Sequence, residues 1–106
     1  MRILPAINCP DLECLKTHLA QATDILLGAS TFDRWIHIDI SDGGSFTNGI
    51  SGWHNPEDLR SLNLAGANIE IHCMAADAEA DAKLWLEAGI SRFIFHLENT
   101  LNIEQL

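Results

Sequence analysis

The chain is poor in basic residues: Lys and Arg total 6 against 15 Asp and Glu, for a formal charge of −9. That shortage argues against nucleic acid or an anionic membrane surface as partner, because both reward clustered Lys and Arg. Any run of about 18–20 apolar residues, the length of a membrane-spanning helix, is also missing. The opening MRILPAI shows no basic stretch, long apolar core and cleavage site of a secretory signal, so a cytoplasmic protein is expected. Cysteines are few, and Cys9, Cys14 and Cys73 have no C-x-x-C spacing. Neither a disulfide framework nor a zinc knuckle is expected, and the thiols are read as reduced. Internal repeats, low-complexity tracts and linkers are lacking too, which makes residues 1–106 a single domain.

What is present is 47% hydrophobic content arranged in short apolar runs that alternate with helix-like segments. RILPAI (2–7) reads as strand one. From Asp11, a candidate N-cap, to about Ala22, the residues Leu12, Leu15, Leu19 and Ala22 follow helical spacing. Residues 23–34 are ambiguous, a turn or an extra half-helix. WIHIDI (35–40) is strand two, and the Gly-, Ser- and Asn-rich stretch after it is a long loop. Pro56 suits the first turn of a short helix to about Asn63, with Glu57 and Asp58 near its positive end. NIEIHCM (68–74) is strand three, Asp77–Ala88 a helix stopped by Gly89, and RFIFHLE (92–98) strand four. This βαβαβαβ order predicts an α/β protein with a parallel sheet covered by helices.

The strands share an oddity. Successive side chains on a strand point to opposite faces, so His37 and Asp39 fall together, opposite Ile36, Ile38 and Ile40. In strand three Glu70, His72 and Met74 share a face, and in strand four His96 and Glu98 do. Three strands thus each bring a His and a carboxylate toward their carboxyl ends, where α/β folds bind ligands. His37, Asp39 and His72 are of the right types to hold a divalent metal such as zinc, manganese or iron. Trp35, Trp53 and Trp85 are spread along the chain and read as packing residues. Asp77, Glu79 and Asp81 read as a solvated helix face, and His18 and His54 as surface residues.

These residues carry a resemblance to the ribulose-phosphate 3-epimerases. That family has Pro-Ser-Ile followed shortly by Asp on strand one, and the chain reads Pro5-Ala6-Ile7 with Asp11. Its H-x-D-x-M-D-G is similar to His37-Ile38-Asp39-Ile40-Ser41-Asp42-Gly43, with Asn48 further on. Its H-x-M and H-x-E correspond to His72-Cys73-Met74 and His96-Leu97-Glu98. Ala6 replaces the family's Ser, Ser41 replaces its Met, and the usual Pro before Asn48 is missing. The resemblance implies a (β/α)8 barrel enzyme that inverts carbon 3 of a pentulose 5-phosphate through an enediolate, with a metal polarising the carbonyl. Under it His37, Asp39 and His72 would hold the metal, and Asp39 would serve as one acid/base residue. Asn8, Met74, His96 and Glu98 would face the sugar-phosphate substrate.

A (β/α)8 barrel takes about 250 residues, so the chain corresponds to a half-barrel, the first four strands. The other half would supply the second acid/base Asp and the phosphate-gripping loops. Asp42-Gly43-Gly44 is too acidic and too short to replace those loops. Open edges at strands one and four lead to an expected homo-oligomer, in which strand four of each copy pairs with strand one of the other. Two alternatives stand beside it: a piece of a longer enzyme, and a self-associating half-barrel without turnover.

Overall fold

Asp11 starts the first helix. Its backbone is extended (φ −150°, ψ 175°), and its carboxylate accepts the Cys14 backbone N–H at 2.9 Å, satisfying a donor that a helix start leaves unpaired. The computed structural model describes residues 4–29, 33–41, 52–62, 64, 66–74 and 78–95, with side chains from residue 80 in the last stretch. In it this helix, α1, covers Leu12–Leu26. It passes Ala22 because Leu26 continues the buried stripe of Leu15, Leu19 and Ala22, which resolves the ambiguity of the segment after Thr23.

Four strands form one sheet in the order β1-β2-β3-β4, every pair parallel. They are β1 (Ala6–Asn8), β2 (Trp35–Ser41), β3 (Asn68–Met74) and β4 (Arg92–Ile94). Between them lie α1, a short α2 (Pro56–Arg60) and α3 (Ala78–Glu87). This is the α/β half-barrel arrangement that the alternation of segments predicts. Leu4 and Pro5 precede β1, although the Pro5 carbonyl already accepts the His37 N–H at 2.8 Å. Phe95 follows β4, and the expected continuation through His96 and Glu98 lies outside the described residues. So does the loop holding Asp42, Gly43, Gly44 and Asn48.

The pleat divides the sheet chemically. Ile36, Ile38 and Ile40 stand in register with Ile69, Ile71 and Cys73, and Ile7 with Ile38. All seven are buried, together with Leu15, Leu19, Leu59 and Trp85. Their burial on the helix-covered side is the main stabilising term of the fold. Trp53 and Trp85 are both buried and meet edge to face at 5.2 Å, so these two tryptophans pack. Asn55 caps α2 by accepting the Glu57 N–H, and Pro56 occupies its first turn. That helix ends at Arg60, where the Ser61 hydroxyl and N–H both turn back to the Asp58 carbonyl. Gly89 ends the run of α3 at φ +100°, a conformation costly for a residue with a Cβ.

Candidate metal centre

Register places the polar residues on the other face. Opposed Cα pairs are Ala6–His37, Asn8–Asp39, His37–Glu70, Asp39–His72, Ser41–Met74, Glu70–Arg92 and His72–Ile94. Directly opposed residues of a parallel pair project to the same side. The alternation read in WIHIDIS and NIEIHCM therefore becomes one polar surface that runs across all four strands.

At its centre is Asp39. Its Oδ1 lies 3.0 Å from His37 Nε2 and 2.7 Å from His72 Nδ1. The ligand atoms of these three residues all lie within 4.8 Å of one another, the only such group on this face among the described residues. Each of the three side chains is about one-fifth exposed (18%, 22% and 25% for His37, Asp39 and His72), so the group is shielded yet reachable.

Behind it stands a second carboxylate. His37 Nδ1 lies 2.6 Å from Glu70 Oε2, and the Arg92 guanidinium donates to Glu70 Oε1 at 3.0 Å. Glu70 is itself buried, and Arg92 stacks over the Trp35 ring at 4.5 Å. Burial pushes the His37 pKa down, but the hydrogen bonds to Glu70 and Asp39 and their negative charges outweigh it, and the net shift is upward. Glu70 moves downward: the hydrogen bond from His37 lowers it, burial opposes, and Arg92 lowers it further.

A neutral imidazole has one proton too few for this arrangement. Carboxylates approach both ring nitrogens of His37, and a neutral ring carries a single N–H. Protonation of His37 satisfies both. A cation held at Nε2 would do so equally, with Nδ1–H kept by Glu70, and a carboxylate behind a ligating histidine is a recurrent feature of metal centres. Two imidazoles and one carboxylate form a donor set suited to zinc, manganese or iron, so the residues present fit a divalent ion.

Asn8, half of the pair opposing Asp39, is exposed on this face, and Met74 sits one pair beyond Asp39–His72. His96 and Glu98, expected to face substrate, lie outside the described residues. The functional reading of the sequence passed over Arg92 and gave Glu70 no role in orienting His37. The available signal was Glu70 two positions before His72, but its partner is 33 residues away and only the register reveals it.

The cysteines depart from expectation. Cys9 and Cys14 are joined by a disulfide, where reduced thiols were expected. The turn from β1 into α1 brings their Cα atoms to 5.6 Å, inside the range a disulfide spans, and a spacing rule tuned to C-x-x-C does not register this. Cys73 keeps its thiol, buried, with Sγ 3.8 Å from Asp81 Oδ2. Asp81 is accordingly only half-exposed and not part of a freely solvated face. His18, taken as a surface residue, sets Nδ1 3.1 Å from Cys9 Sγ and 3.3 Å from Cys14 Sγ. His54 is exposed, its Nδ1 2.8 Å from the Gly52 carbonyl.

The described residues form a parallel α/β half-barrel whose polar face gathers two histidines and a carboxylate, the donor types of a metal-binding α/β enzyme. Within that class, the chain matches the ribulose-phosphate 3 epimerase family over residues 4–106 and belongs to that family. Such proteins are metal-dependent in general and act on sugar phosphates. A search of curated proteins returned no match. No helix among the described residues is long and apolar enough to cross a membrane.

Proposed function

We propose that the chain contributes the metal-binding and base-bearing half of a ketose-phosphate 3-epimerase, interconverting ribulose 5-phosphate and xylulose 5-phosphate. The observation that carries this reading is the convergence of His37 Nε2 and His72 Nδ1 on Asp39 Oδ1, in a chain of this family. His37, Asp39 and His72 hold a divalent ion, zinc, manganese or iron. When bound, the ion supplies Lewis-acid polarisation of the substrate carbonyl and offsets the negative charge that develops as the C3 proton leaves. Asp39 is the residue that accepts the C3 proton. Glu70 keeps His37 in the Nδ1–H tautomer, and Arg92 holds Glu70 ionised. Asn8, Met74, His96 and Glu98 line the substrate.

The second acid comes from outside this sheet. Edges β1 and β4 support closure by a second copy of the chain, each β4 pairing with the other's β1 into an eight-stranded ring. A cytoplasmic setting accords with the substrate class. The test is conversion of ribulose 5-phosphate by the manganese-loaded chain, with sedimentation velocity on the same sample. Conversion that disappears with a chelator and in Asp39→Asn supports the proposal. Equal conversion in Asp39→Asn contradicts it. The open edges also favour a second reading, a self-associating scaffold without turnover, and dimers that bind metal but convert nothing would favour that one.

A further inference from the structure

On the opposite side of the sheet from His37 and Asp39 sits a second cluster with different chemistry. Cys9 follows β1 directly and shares the buried, helix-covered side with Ile7, while Asn8 between them takes the Asp39 side. Cys14 lies in the first turn of α1, and His18 one turn later on the same helical face. The two sulfurs and His18 Nδ1 all lie within 4.8 Å of one another. Burial falls outward through the cluster: Cys9 is buried, Cys14 half-buried, His18 exposed.

We propose that Cys9, Cys14 and His18 form a redox-gated site for a thiophilic divalent cation of the zinc type, closed as the disulfide and open when the two sulfurs are reduced. Two sulfurs and one imidazole are a soft donor set, softer than the nitrogen and oxygen donors of His37, Asp39 and His72. A tetrahedral ion with bonds of about 2.3 Å to sulfur and about 2.0 Å to nitrogen sets sulfur–nitrogen edges of roughly 3.5 Å. His18 Nδ1 stands at 3.1 and 3.3 Å from the two sulfurs, close to that geometry before any ion enters. Only the sulfurs must part, to a separation of about 3.8 Å.

The backbone is already held in place for this. Asp11 fixes the first turn of α1 through the Cys14 N–H, and the Cys9 carbonyl accepts the Trp53 N–H at 2.8 Å. Gly52 passes so close that an added Cβ would meet the Cys9 carbonyl oxygen at 3.2 Å. Cys14 also sits where the positive end of α1 stabilises the thiolate that a metal requires.

Opening consumes two equivalents of an external thiol. The Sγ–Sγ bond breaks, each cysteine sulfur gains one electron and one proton, and the two external thiols leave joined as their own disulfide. Cation binding then displaces both cysteine protons to solvent while neutral His18 donates its Nδ1 lone pair. In a reducing compartment the site is open, and an oxidising one closes it.

The experiment uses Co²⁺ as probe on the full chain, reduced with a phosphine that does not itself supply thiols. Thiolate ligands give Co²⁺ an intense near-ultraviolet charge-transfer absorption, which the His37 cluster does not produce. The reduced chain should show this band at one equivalent, and the oxidised chain should lack it. Cys14→Ser should abolish it. His18→Ala should weaken Co²⁺ affinity at least about tenfold, the loss that even changes behind a ligand cause. His37→Ala should keep the band, so failure of the proposed epimerase reading leaves this test intact. No band in the reduced chain, an equal band in Cys14→Ser or in the oxidised chain, or unchanged affinity in His18→Ala would overturn the proposal.

Discussion

At the scale of single residues, the behaviour of the site turns on His37 lying between two carboxylates. Its upward shift and the downward shift of Glu70 have opposite consequences for stability. His37 binds its proton more tightly folded than unfolded, so its contribution is complete below the ordinary value of 6.5 and is lost as pH rises through the folded value. Glu70 contributes fully above its ordinary 4.5, and that share is lost as pH falls through its folded value. The metal-free chain should therefore gain most from this pair between those two values, with a higher urea midpoint at about pH 5.5 than at about pH 9. Glu70→Gln should flatten that difference and bring the His37 titration, followed by imidazole NMR, back down. An unmoved His37 titration in Glu70→Gln would contradict the pairing. Metal reverses the dependence, because the ion competes with the proton on Nε2, and affinity should fall as pH drops through the His37 value.

At the scale of elements, two substitutions separate packing from capping. Ile38 is 1% exposed and packs between Ile7 and Ile71 on the helix-covered side, so Ile38→Ala should cost about 2–5 kcal/mol in urea denaturation. Asp11→Ala removes the cap of α1 and should cost about 1 kcal/mol. Much of this layer was legible in the sequence. Alternating isoleucines announced β2 and β3, and Asp11, Pro56 and Gly89 announced a helix start, a first turn and a stop, because each of these signals is local. The end of α1 was left open, because the exposed apolar Ile25 and Leu27 beside Leu26 blur a stripe that Leu26 in fact continues. The roles of Glu70 and Arg92 were hidden for a different reason: their contacts depend on register between strands. The cysteine pair was missed because its closeness comes from the β1–α1 turn, although Cys14 and His18 do carry a helical i, i+4 spacing.

At the scale of the whole molecule, the described residues form a parallel sheet with β1 and β4 at its edges, and parallel sheets are rarely left with exposed edges or faces. The polar face holding His37, Asp39 and His72 would line the interior of a closed ring. Sedimentation velocity should find a species of twice the chain mass, and a monomer at every concentration that still turns substrate over would contradict closure by a second copy. The role of Asp39 as the base is tested most directly by proton NMR of ribulose 5-phosphate in heavy water with the manganese-free, zinc-loaded chain, beside an Asp39→Asn control. The C3 proton should exchange for deuterium with the native chain and not with Asp39→Asn. Retention of the C3 proton with the native, metal-loaded chain would contradict it.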